Sequence, residues 1–552
     1  MRWHSWMAAR ATRVRKSVRT VPSLTRFMAA ALLITPLLAA AGTWQTLTNP
    51  PPLPDIFDPS GNDLYSGGAA FPLLMTDGGV LVQNVGDGKI FKLTPDLKGS
   101  YINGTWSQLA TMPYVSYAGA QAVLPDGRII MEGGEYSNFD FEFLLTNDGA
   151  IYDPVANTWT RVSPPGFFVD LYPPRAVFAP HPIGDSQSVV LPDGTFMLAD
   201  KMSRQAALLD AKNLTWTETG TSSKSDMNDE EGWTLLPNGK VLTVDCYTDF
   251  FFGQAPSYPA DPTNSEIYDP ETGQWSSGGS TINTLTDPLL SETGPAVLRP
   301  DGSVFAVGSQ GYTSIYHSRS GKWKAGPRLP LSPQGFQYTA QDAPGALLPN
   351  GNVLFAVSGG AEPPGGGYSD PPLAFFEFDG HRLIPEPTIP NGPYEPSGNV
   401  NLLVLPTGQI LAADGTTDIE IYTPDKHVRD HEQEDENENR QEWAPVILWG
   451  PHVVHPGRSY QLSGIRFNGM SQASMYGDEG QSATNYPLVR ITNLRTHHVF
   501  YSRTHDHSSM AVASDDEVST HFDVPARQEP GLSKLEVVAN GIASEPLIVV
   551  VK

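Results

Sequence analysis

A four-residue turn of the form Leu-Pro-Asp-Gly returns seven times in this chain, and few architectures can accommodate that. The copies are Met75-Thr76-Asp77-Gly78, Leu124-Pro125-Asp126-Gly127, Leu191-Pro192-Asp193-Gly194, Leu236-Pro237-Asn238-Gly239, Arg299-Pro300-Asp301-Gly302, Leu348-Pro349-Asn350-Gly351 and Leu405-Pro406-Thr407-Gly408. Each sits between two apolar runs, the strongest short signal for a β-hairpin; read as a two-residue loop, both the Asp/Asn and the Gly would take positive φ. Behind several hairpins comes an aromatic–Asp–Pro turn, as in Tyr152-Asp153-Pro154 and Tyr268-Asp269-Pro270, and then a Trp: Trp159, Trp216, Trp275, Trp323. A four-stranded unit that recurs at this spacing with fixed Tyr and Trp positions is a propeller blade. The expected fold class is all-β, a seven-bladed propeller.

The seventh copy has a third strand, Ile421-Tyr422-Thr423, but no Trp after it. Trp44-Gln45-Thr46-Leu47 matches Trp106-Ser107-Gln108-Leu109 in form, so residues 43–49 are expected to close the last blade. The propeller then spans 43–424. Residues 425–442 are a run of charges and amides, a solvated linker. From 443 to 552 alternating short strands resume, which predicts an immunoglobulin-like sandwich.

Ahead of the propeller, residues 1–41 hold a basic stretch ending at Arg26, an apolar run from Phe27, and Leu38-Ala39-Ala40-Ala41 before Gly42. That order reads as a secretory signal cut near Ala41. The apolar run is short for a spanning helix, so an exported protein, periplasmic or secreted, with no integral membrane span in the mature chain is expected. The net charge of −25 repels phosphate backbones and argues against nucleic acid as a partner; a small neutral or cationic ligand, or a glycan, suits it better. The one cysteine, Cys246, allows no intrachain disulfide.

Seven such blades and a C-terminal sandwich resemble the galactose oxidase and glyoxal oxidase group, and more closely the bacterial Kelch-repeat proteins that share its C-terminal domain. Residues 228–245 and 503–513 carry the likeness. The resemblance implies an oxidoreductase acting on alcohols or aldehydes, with one copper held by two tyrosines and two histidines and a cysteine cross-linked to one tyrosine. The matching positions here mostly lack those residues. Asp229-Glu230-Glu231-Gly232 stands where the first tyrosine belongs, Ser397-Gly398-Asn399-Val400 where a Tyr-His pair belongs, and Cys246 falls on the wrong side of the blade-four strand. Only Thr504-His505 matches a ligand, on a loop expected to rise along the propeller axis. Copper is therefore not expected.

The same inner-strand positions gather acids instead. Asp185, Gln187, Asp229, Glu230, Glu231, Glu292, Asp342 and Asn399 are the expected ligand-binding set, with His505 and His507 as a metal-ligating pair if strand alternation places both on one face. Converging carboxylates need a cation, an arginine or protons, and a carboxylate-rich site suits a divalent cation. Three readings stay open: a binding protein for a carbohydrate or other small ligand, an oxidoreductase, and a structural or adhesive extracellular module. The aromatic run Tyr247–Phe252 could stack on a sugar ring or cover a blade end.

Overall fold

The structure is a computed structural model that describes residues 42–57, 63–136, 144–168, 183–246, 262–287, 292–359, 370–425, 442–477 and 479–552. The Tyr247–Phe252 run, the leader and nearly all of the charged linker lie outside the described residues.

Each Pro-Asp-Gly turn is the tip of an antiparallel hairpin, and its chemistry is local. Gly127 has φ 82°, and the other six turn glycines lie between 75° and 88°. The Gly127 N–H donates to Leu124 O at 2.9 Å, and Leu124 N donates to Arg128 O at 2.8 Å. Asp126 Oδ1 accepts from Arg128 N at 3.0 Å; Asp77, Asp193, Asn238, Asp301 and Asn350 do the same in their turns. Only the glycine takes positive φ, so these are type I turns followed by a bulged glycine rather than two-residue loops with both central residues left-handed. In six of the seven copies proline explains the difference: it fixes φ near −65° at the first turn position, which type I requires and the primed turns forbid; Thr76 takes that place in the first copy.

Seven blade sheets follow one another, six of four strands and the sixth blade of four strands plus a fifth added at its inner edge. Six are sequential: blade one, for example, is Ala69–Leu74, Val80–Asn84, Ile90–Thr94 and Thr105–Gln108. The seventh joins Asn401–Val404, Ile410–Ala413 and Ile419–Thr423 to Thr43–Thr46 from the other end of the chain, with Trp44 opposite Tyr422. This is a seven-bladed propeller.

Two repeated contacts hold the blades. The third-strand Tyr packs on the fourth-strand Trp at ring separations of 5.1 Å (Tyr152–Trp159), 5.3 Å (Tyr268–Trp275) and 5.1 Å (Tyr316–Trp323). Trp44 and Tyr422 repeat that pair at 5.0 Å. The indole N–H then reaches the segment leaving the preceding blade: Trp106 to Asn49 O, Trp159 to Ala110 O, Trp216 to Ser163 O and Trp44 to Pro387 O, at 2.7–3.0 Å. A Trp at that place thus supplies apolar area to its own blade and a polar tie to its neighbour.

Residues 446–551 form a nine-stranded sheet around a separate apolar cluster that includes Leu462, Phe467, Ile491, Phe522 and Val537. One excursion from it, described over residues 470–477 and 479–486, fills the hub of the propeller. Ser474–Met475 pairs antiparallel with Gly345–Leu347, the innermost strand of blade six. Gln472 accepts from Leu235 N at 2.7 Å, Ser474 Oγ from Val404 N at 3.0 Å, and Ser482 Oγ donates to Pro72 O at 2.6 Å. The hub is lined by unpaired inner strand edges, and this polar, small-residue segment satisfies them.

Candidate functional site

The inner strands start on the side opposite the Pro-Asp-Gly turns, and there the structure brings six acids and one lysine together. Lys201 follows the second strand of blade three. Its Nζ lies 2.7 Å from Asp185 Oδ2, 2.7 Å from Asp229 Oδ1 and 2.8 Å from Glu230 Oε1. Glu230, Glu292 and Asp342 each offer an oxygen within 4.8 Å of the others. Glu135 feels Asp185, Lys201 and Glu230, so it belongs to the same field. Glu292 is buried, and its Oε2 has no hydrogen-bond partner. Glu230 and Asp342 have φ of +59° and +44°, conformations that L side chains adopt at a cost and that the surroundings must enforce.

One ammonium cannot neutralise these carboxylates. Burial, only partly offset by Lys201, pushes Asp185 up to about 6. Burial pushes Asp342 up to about 7, despite a hydrogen bond from Glu292. Asp229 is raised by burial and by Glu230 and Asp185, against the pull of Lys201. Glu292 is raised by burial and then by Asp342 and Glu230. The shifts share one cause: these acids are desolvated and crowded, so each binds its proton more tightly than a free carboxyl does.

The hub loop completes the site. Tyr476 Oη donates to Gly398 O, Gly480 N donates to Gly119 O at 3.1 Å, and the buried Glu479 acts electrostatically on Tyr117 and Glu135. Tyr117 and Tyr136 stand edge to face at 6.3 Å, and both phenols are raised by burial and then by these acids. Sequence reasoning missed Lys201 and Glu479, whereas Glu135, on the loop after the blade-two hairpin, could be read from the sequence as lying on the same or a neighbouring surface. The signal for Lys201 was available: where the other second strands run out, none places a lysine.

The remaining candidates fall elsewhere. Glu231 turns away from Glu230 into a second buried cluster. There Lys224 Nζ contacts Asp226, Glu231 at 2.8 Å and Glu266 at 2.7 Å, and Thr243 Oγ1 donates to Glu231 at 3.0 Å. Burial would lower the Lys224 pKa, but the surrounding acids outweigh it and raise it; this lysine takes the place a cation would otherwise fill. Cys246 Sγ donates to Glu230 O at 3.1 Å. Gln187 is fully buried on blade three with both side-chain polar atoms unpartnered. Asn399 donates to Glu395 at 3.0 Å.

The segment carrying His505 does not rise along the axis. Thr504 N donates to Thr76 O at 3.2 Å and His507 N to Pro125 O at 3.0 Å, which puts both histidines on the turn side, away from the acids. Alternation also fails, because the strand ends at His505 and Asp506 takes φ +53°. His505 bonds Asp506 at 2.8 Å and Asp523 at 3.3 Å. His507 is buried against Thr520 at 2.9 Å, and burial lowers its pKa to about 3. The axial loop is 470–486, so the one position matched to a copper ligand is in the wrong place. The donors at the acid mouth are carboxylates and phenols, and the leading charges acting on them come from acids and Lys201 rather than imidazole. That set does not fit a two-tyrosine, two-histidine copper centre.

No protein-family profile and no curated protein matches the chain. Solved structures resemble it at low identity. A fungal alcohol oxidase of the AA5 family, in complex with copper, aligns over 89% of this chain and 86% of its own at 15% identity and a TM-score of 0.41. A catalytically inactive virginiamycin B lyase from Staphylococcus aureus aligns over 69% of this chain and 99% of its own at 10% identity and a TM-score of 0.41. The extracellular domain of a B. thetaiotaomicron protein described as a two-component system aligns over 93% of this chain and 59% of its own at 8% identity and a TM-score of 0.42. Among the described residues, no helix is long and apolar enough to cross a membrane.

Proposed function

We propose that this chain is an exported Kelch-type propeller protein that binds a small hydroxylated ligand, such as a carbohydrate, through a divalent cation at the acidic mouth of its hub. The C-terminal sheet is read as an immunoglobulin-like domain of the kind found with galactose-oxidase-like propellers, and its task is to supply the hub loop. The observation that carries the reading is the buried, unpartnered Oε2 of Glu292, beside Glu230 and Asp342, two residues with strained backbones. A buried carboxyl with an idle oxygen is costly unless something binds it. Three carboxylates form a hard-oxygen donor set, which suits Ca²⁺ or Mg²⁺ over softer metals. A bound divalent ion can accept a pair of sugar hydroxyls, and Tyr117 and Tyr136 stand beside the acids as apolar faces.

Isothermal titration of the metal-free mature protein with Ca²⁺ and with Mg²⁺ is the test. One ion per chain is expected, with binding abolished by Glu292→Gln combined with Asp342→Asn. A glycan panel, screened with and without the ion, should then give ion-dependent hits. A protein that takes up neither ion, or a double variant that binds as tightly as the parent, would remove the reading.

A further inference from the structure

Far from the hub, the first described residue is unusually well held. Gly42 is buried, and its N donates to Glu386 Oε2 at 2.9 Å. Tyr422 Oη donates toward that same oxygen at 2.9 Å and toward Glu377 Oε1 at 2.7 Å. Asn352 Nδ2 donates to the other Glu377 oxygen at 2.9 Å. A Cβ at residue 42 would lie 2.1 Å from Tyr422 Oη, so only glycine lets the backbone come this close.

The pocket is short of positive charge. Among the described residues neither Glu377 nor Glu386 has a cationic partner, and the other charges acting on them, Asp379 and Asp425, are acids. Burial, then Glu377, pushes Glu386 up to about 7. Two carboxylates served only by one phenol and two neutral amides are poorly compensated. The sequence immediately before Gly42 is Ala39-Ala40-Ala41, the small-residue pattern at which leaders are removed.

We propose that the Ala41–Gly42 peptide bond is a processing site, and that the α-ammonium released on Gly42 is the missing cation of the Glu386–Glu377–Tyr422 pocket. A leader-removing protease hydrolyses the bond. The Ala41 C–N bond breaks, water's oxygen goes to the Ala41 carboxylate, and Gly42 leaves as –NH₃⁺. One amide donor becomes three charged donors at the same place, and a charge-assisted bond to a buried carboxylate is stronger than an amide bond. Maturation thereby fastens the strand that closes the wheel. The inference rests on the export part of the reading above and is independent of the hub ligand.

Intact-mass analysis and terminal sequencing of the exported protein should give a chain beginning at Gly42. Chains prepared to begin at Gly42, and chains that retain an acetylated Ala41, should then be melted side by side. The Gly42 form should melt about 2 °C or more higher, and Glu386→Gln should erase that difference while leaving ion uptake at the hub unchanged. On the parent protein, acylation of the α-amine near pH 7.5 should run about tenfold slower than on an unfolded peptide, as for an amine whose pKa is raised by one unit. Processing at another bond, equal melting of the two chains, or peptide-like acylation would each overturn the proposal.

Discussion

Glu230 and Glu231 are adjacent in sequence, yet they serve two different lysines. Glu230 meets Lys201 at the hub mouth, and Glu231 meets Lys224 within blade four. Strand-start acids could be read as a group from the sequence, but not their partition, which depends on a positive φ at Glu230 that no residue type announces. The raised acids also set a pH dependence. A carboxyl whose folded pKa exceeds its unfolded value near 4 binds protons more tightly when folded, so stability falls as pH rises from about 4 toward the folded pKa. Asp185 at about 6, with Asp342 and Asp226 at about 7, places that window between pH 4 and 7. Buried His507, lowered to about 3, opposes them below about pH 6.5, but it is one group against several. The ion-free protein should therefore melt higher at pH 5.5 than at pH 7.5 by differential scanning calorimetry, and a saturating divalent cation should shrink the gap. A flat or reversed profile in ion-free buffer would contradict this account of the acids.

At the level of elements, the hairpin turns were legible because Pro, Asp and Gly each impose a separate local constraint. Their surroundings were not, and they make identical turns unequal. A Cβ on Gly302 would approach only Ser318 Oγ, at 3.2 Å, whereas on Gly127 it would meet the Thr504 backbone oxygen at 2.8 Å. Both glycines have φ near 80°, so either Gly→Ala change costs roughly 1–2 kcal/mol for the left-handed backbone. Gly127→Ala should cost more, because the C-terminal strand that packs on that turn must also shift. Urea titrations of the two variants check this; equal midpoints would mean that the contact between turn and strand contributes nothing. The same contact shows why Thr504-His505 misled as a motif. Its residues suit a strand end seated on turns, and the sequence gives no sign of which face they meet.

Across the whole molecule, the seven-bladed wheel follows from the turn spacing and the Tyr/Trp pairs, while the filling of its hub does not. The stretch from Asn468 to Asn485 lacks alternation and has few large apolar residues, so nothing in it signals an interior place; its described residues are interior because they answer backbone edges rather than apolar faces. Ring closure can be tested by comparing two tryptophans that make the same Tyr contact and the same indole N–H tie. Trp159→Ala removes a ring from within one continuous blade, whereas Trp44→Ala removes it from the seam, where it touches both Tyr422 and Phe375 at 5.0 and 4.9 Å. Each change should cost about 3 kcal/mol. In hydrogen exchange, Trp44→Ala should unprotect 43–46 and 419–423 together, while Trp159→Ala should leave 419–423 untouched; protection at 419–423 that survives Trp44→Ala would refute closure by this strand.

The hub loop has a consequence for incomplete chains. Every blade is already encoded when synthesis passes residue 424, yet the residues that occupy the centre come later. A product that stops early would own all seven sheets around an unfilled core of bare amide and carbonyl groups, with no alternative partner but water or another chain. Premature termination should therefore yield sticky, protease-sensitive material rather than a smaller working protein.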